Sequence, residues 1–272
     1  MNFNNKTSKT LTFLTVFCLL AISPAKADDG RARSLLQQAD SLFSQRNEES
    51  LNPTNQAIAK LSQALEQTDQ SELRYKILLL RSRAYYWNGT VQSSRSDKMD
   101  TFEKAMESAE EAASENDEYA NAYYRYGIAL ARWAEAKGIL ESLGRKDELI
   151  EFMQTTQDLE TMDEKEGYTI DGYGPDRVFG KMYFKLPSWA GGNLNKSMKH
   201  LKRAVDNAPF LAMNTAYYSE SLIKGSREQK KKGCQLLDLL VKKSANDFPK
   251  ERKPETTREL RDAMSLYKKK CK

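Results

Sequence analysis

Histidine is almost absent: the 272 residues contain only His200. Any His-based nucleophile or proton relay would have to run through that one position, which sits between Lys199 and Leu201 on a predicted polar helix surface. Zinc needs more His or paired Cys than one histidine and three cysteines supply. There is no G-x-S-x-G elbow and no D-x-D-x-D-G calcium loop. Gly172-Tyr173-Gly174 is an incomplete glycine pattern with no strand before it, so it is not a nucleotide loop. Glycine and proline are also scarce, at 13 and 7. Most of what remains is Ala, Leu, Glu, Gln, Lys and Arg, all good helix formers, and no segment alternates as a strand would. The acidic residues alternate with Lys along helix faces, a pattern of local ion pairing rather than paired acid–base carboxylates. These absences predict an all-α protein that is not an enzyme and has no cofactor.

Long apolar runs are missing as well. The run over residues 11–22 is too short to span a bilayer, and nothing after Ala27 approaches that length, so the chain is expected not to span a membrane. Lys6 and Lys9 precede this run, and Pro24 and Ala25-Lys26-Ala27 follow it. That is the pattern of a secretory signal peptide over residues 1–27, cleaved before Asp28, and it predicts an exported, periplasmic or secreted soluble protein. Cys18 follows bulky Phe17 where a lipobox needs a small residue, so no lipid anchor is expected.

Removing the leader takes the net charge from +5 to +2, which gives no argument for nucleic acid. The remaining charge is uneven: residues 224–272 carry +9 and residues 28–223 carry −7. A basic end suits anionic lipid, cell-wall polymer or an acidic partner, although a solvated helical surface is the plainer reading. Of the three cysteines, Cys234 and Cys271 remain after cleavage, and an exported pair is expected to form a disulfide.

Apolar residues recur at helical spacing, and the helices have a period. A tetratricopeptide repeat is a 34-residue helix pair in which small residues allow close approach and large ones fill the neighbouring groove. Ala105, Ala109 and Ala112 begin the clearest match. Stepping on from Ala112 lands on Tyr123, then Tyr126-Gly127, then Leu130. From Ala64 the same step lands on Tyr75 and Leu78. A third instance reads Ser197, Leu201, Ala204 and Pro209, then Thr215, Tyr218, Ser219 and Leu222. The expectation is a single tetratricopeptide-like helix-pair array, an α-solenoid of about ten helices, over residues 28–272. Three irregularities are expected within it: a break at Asn88-Gly89 with an insertion through Asp97, an extra amphipathic helix from Glu148 to Met162, and an inserted Gly/aromatic loop over about 166–193.

The inserted segment concentrates aromatic side chains around one arginine. Tyr168, Tyr173, Tyr183 and Trp189 offer broad apolar contact with polar tips, and Arg177 offers a bidentate grip on a carboxylate. These five are the candidate ligand-binding residues. The competing reading buries the aromatics as core and places Arg177 in an ion pair with a nearby acid.

The run GYGPDRVFGKMYFKLPSWAGGNLNKSMKHLKRAVDNAP resembles the tetratricopeptide T components (TatT) of tripartite periplasmic TRAP transporters. The matching positions are Gly174-Pro175, Arg177, Gly180, Tyr183, Pro187, Gly191-Gly192 and Ala208-Pro209. The resemblance implies a helical repeat protein with a central pore or cleft, a solute-binding protein as partner and a small amphipathic organic acid as ligand. Several members are lipoproteins, and Phe17-Cys18 departs from that pattern. The alternative is an envelope scaffold that grips peptides or protein partners in its groove. Association of the chain with itself stays open.

Overall fold

The computed structural model describes residues 27–162 and 170–272. Residues 1–26 of the predicted leader and Tyr168 therefore lie outside the described residues. Among these residues there are eleven α-helices and no strand. They run α1 (Asp29–Ser44), α2 (Asn52–Leu65), α3 (Ser71–Val91), α4 (Arg95–Glu115), α5 (Ala120–Lys137), α6 (Lys146–Met162), α7 (Gly174–Lys185), α8 (Leu194–Asn207), α9 (Ala212–Ile223), α10 (Arg227–Val241) and α11 (Lys253–Lys270). No helix among them is long and apolar enough to cross a membrane.

Consecutive helices pack as hairpins, and each hairpin packs on the next. The odd-numbered helices also touch one another in sequence, from α1 to α11, which makes them a continuous inner layer. The small residues of the repeat are what allow this: Ala57, Ala64, Ala105, Ala109, Ala112, Ala204 and Ser197 are fully buried between helices. Leu61, Leu78, Leu130 and Leu201 fill the spaces left between them.

Helix starts follow ordinary capping chemistry. Asp28, Ser94 and Asn193 side chains accept from backbone N–H groups of the first turn. Ser226 and Gln229 form a reciprocal capping box at α10. Pro53, Pro175 and Pro254 occupy the first turns of α2, α7 and α11, where no N–H is needed.

The helix expected from Glu148 to Met162 is present as α6, but its place in the array and the other two expected irregularities are corrected. The Asn88-Gly89 turn signal lies inside α3, which runs on to Val91 with only residues 92–94 before α4. Asn88 is buried, accepts from Thr54 and donates to Asn55, so tertiary partners outweigh its turn preference. Helix α6 is not extra; it is the outer partner of α5, with Phe152 stacked on Tyr126 at 3.9 Å. The described part of the inserted segment is mostly α7, the inner helix of the fourth pair. Gly180 lets α7 approach α8 closely: a Cβ there would lie 2.5 Å from Leu201 Cγ. Gly180→Ala is expected to destabilise the fold by about 1–3 kcal/mol, read as a lower urea midpoint with unchanged slope.

Two contacts govern the last helix. Cys234 on α10 is joined to Cys271, with Cα atoms 5.5 Å apart. On its other side, α11 meets the chain just after α1. Arg46 forms a fork onto Glu255, with both N–O distances 2.9 Å, and donates to the Glu251 carbonyl at 2.6 Å. Glu48 receives Arg258 at 3.4 Å and Arg261 at 2.5 Å. The array thus closes on itself.

Candidate functional site

Inside the closed array is a cavity of about 300 Å³, bounded by the inner layer and by α6. Its wall is written in stripes at helical spacing. Helix α3 contributes Arg83, Tyr86, Trp87 and Thr90; α5 contributes Arg125, Ile128, Arg132 and Glu135; α7 contributes Arg177, Val178, Lys181, Met182 and Lys185. Met213 and Tyr217 come from α9, and Arg252, Glu255 and Glu259 from the start of α11 and the turn before it. Ten Lys or Arg and six Asp or Glu line the cavity, so the wall carries a surplus of positive charge.

Asp171 anchors one side of the cavity. Its carboxylate accepts from Arg177 Nη2 at 2.6 Å, from the Tyr124 hydroxyl at 2.7 Å and from Arg252 Nη1 at 2.8 Å. Burial would raise this carboxyl, but the Arg177 and Arg252 guanidiniums outweigh it and hold the group down at about 2. Arg252 continues to Glu259 at 3.1 Å, and burial pushes the Glu259 carboxyl up. Elsewhere Arg132 pairs with Glu135 at 2.6 Å, and Lys181 pairs with Glu220 at 2.6 Å while lying 4.2 Å from the Tyr217 ring centre. Burial raises the Tyr217 phenol to about 12.

The residues expected to form the site are not brought together. Arg177 alone of the described four borders the cavity. Its guanidinium is buried and fully committed, donating to the carbonyls of Asp171 and Gly172, to Asn214 Oδ1, to the Tyr124 hydroxyl and to the Asp171 carboxylate. The ion-pair reading is therefore the structural one, and this arginine has no free fork for a ligand. Tyr183 lies six residues along α7, about 120° around the helix from Arg177, and stacks on His200 at 5.7 Å. Tyr173 lies under Arg203 on the outer layer. Trp189 is 76% exposed on a 3₁₀ turn after α7. His200 bonds buried Asp176 at 2.8 Å and belongs to the α7–α8 packing.

The cavity residues Arg83, Tyr86, Arg125, Arg132 and Tyr217 were missed by sequence reasoning. The signal was present: they recur every three or four residues on the helices that follow each small-residue helix. The aromatics of 170–193 are dense along the chain, but Phe179 and Tyr183 pack between helices around His200.

Fold and cavity together define an α-solenoid of helix pairs closed around a basic, aromatic-walled chamber. The family model described as Regulator of microtubule dynamics protein 1-3 matches residues 35–170, half of the chain, and the chain belongs to that family. The match runs from within α1 to the residue before Asp171, covering the first three helix pairs. No curated protein matches the chain at the level expected of a relative.

Proposed function

We propose that the protein is a non-catalytic accessory binding protein that holds a small amphipathic organic anion in its central chamber. In this reading it is exported and works with a protein partner, such as a periplasmic solute-binding protein, in the manner of a transporter T component. The observation that supports it best is the chamber itself: a closed ring of helices around a cavity with apolar and aromatic walls and a surplus of cations. Its volume lies at the lower end of the roughly 300–1,000 Å³ that small-molecule sites occupy.

Native mass spectrometry of the mature protein from its own cells is the test. The expected spectrum shows a chain beginning at Asp28, without acyl groups, plus the mass of one small acidic molecule. Met182→Trp, which fills the chamber, is expected to remove that added mass while the circular dichroism spectrum stays helical. A chamber empty in every preparation would overturn the ligand reading.

Family membership supports a second reading, in which the molecule acts on another protein. The family's description concerns microtubule dynamics, and the basic stretch at 224–272, which includes α10 and α11, would suit an acidic protein surface. A stoichiometric copurified protein with an empty chamber would favour it.

A further inference from the structure

Seven arginines line the chamber, and five of them are neutralised by an acid. Arg132 meets Glu135, Arg145 meets Glu148, Arg177 meets Asp171, Arg252 meets both Asp171 and Glu259, and Arg258 meets Glu48. Arg83 and Arg125 are the exceptions: among the described residues neither has a carboxylate within ion-pair distance or a hydrogen bond from its guanidinium. They project from α3 and α5, adjacent helices of the inner layer. Each is held by an aromatic face: Arg83 lies 5.2 Å from the Phe43 ring centre, and Arg125 lies 5.7 Å from that of Tyr124.

This end of the chamber is short of negative charge and of acceptors. Burial, then the neighbouring Arg125 and Arg46 cations, lower the Arg83 guanidinium to about 10, which still leaves it charged at neutral pH. Asp40 and Glu255 pull the other way, but Glu255 is already gripped by Arg46 and neither bonds Arg83. Trp87, in the same wall, has a buried indole N–H with no acceptor. Two forks without acids, on adjacent helices that line one cavity, are what an oxyanion needs and what a resting protein surface ordinarily avoids.

We infer that Arg83 and Arg125 together anchor the oxyanion head of the ligand, a carboxylate or a phosphate monoester. The apolar body then lies along Tyr86, Ile128, Val178, Met182 and Tyr217, which share the same wall. This inference rests on the chamber reading and adds which end of the ligand sits where, and what holds it.

Calorimetric titration of the mature protein with octanoate, octyl phosphate and 1-octanol tests it, on the wild type and on Arg83→Gln and Arg125→Gln. The wild type is expected to bind at least one of the two anions and to prefer it to 1-octanol by tenfold or more. The preferred anion identifies the headgroup. Each variant is expected to lose that anion about 10- to 100-fold, the range of one charge-assisted hydrogen bond, and to keep its weak affinity for 1-octanol. Because each substitution removes a cation repelled by its neighbours, melting temperatures are expected to hold or rise, so lost binding is not lost folding. Unchanged anion affinity in both variants would overturn the anchor while leaving the chamber reading intact. Wild-type protein that binds neither anion, or binds 1-octanol equally well, would overturn both.

Discussion

Arg177→Ala is expected to destabilise the protein by about 3–5 kcal/mol, since it takes the buried half of an ion pair away and leaves the partly buried Asp171 without its closest cation. In a chain of this size that corresponds to a melting temperature lower by roughly 10 °C. The arginine also holds the backbone. Asp171, Gly172 and Tyr173 are three successive residues with positive φ, at 49°, 57° and 61°. Two of them are not glycine, so that conformation persists only because the surroundings impose it. Arg177 binds the Asp171 and Gly172 carbonyls, and Asn214 adds a donor to Gly172. The variant is therefore expected to show faster amide exchange at 171–174 as well as a lower melting temperature. A melting temperature within 2 °C of wild type (less than about 1 kcal/mol) would refute the role assigned to the network.

The same network sets an acid limit. The Asp171 carboxyl is lowered to about 2 in the folded state against an ordinary value near 4, so its contribution is complete above the unfolded value. It is lost as pH falls through that window from about 4 to about 2, amounting to about 2 kcal/mol. Asp171→Asn is expected to flatten the stability profile between those limits.

Removing the disulfide is the second large effect. Cys234→Ser with Cys271→Ser opens a link between positions 37 apart in sequence. Loop-closure arguments put the loss at about 2–4 kcal/mol. The consequence reaches beyond the last hairpin, because α11 also carries Glu255 and Glu259 into the chamber wall. Denaturant midpoints measured with and without reductant on the wild type, beside the double serine variant, check this. Reductant is expected to lower the wild-type midpoint to that of the variant and to leave the variant unchanged. Identical midpoints in all three samples would show that the link adds nothing to stability.

The repeat helices were legible because their physics is local. Alanine at 105, 109 and 112 and serine at 197 can sit only where helices nearly touch, and those positions are fully buried. The α7 helix was not legible, because Gly174, Gly180 and nearby aromatics read as loop chemistry. Gly174 instead clears the Tyr124 ring, and Gly180 clears Leu201. The described candidate residues lie apart for a related reason. Density of aromatics along the chain says little about convergence in space, and Arg177 and Tyr183 diverge simply because they are six residues apart on a helix. The chamber is assembled from α1, α3, α5, α6, α7, α9 and α11, so no single stretch of sequence contains it.

Arg46 and Glu48 holding Glu255, Arg258 and Arg261 have a mechanical consequence. A linear solenoid frays from its tips, and its stability is close to a sum over neighbouring repeats. A hoop has no tips. Here the first hairpin and the last helix brace each other across more than two hundred positions of sequence. Melting therefore cannot begin at one end without straining the opposite one. The chain should come apart as one cooperative unit, with its earliest repeat as sensitive to the loss of α11 as its latest.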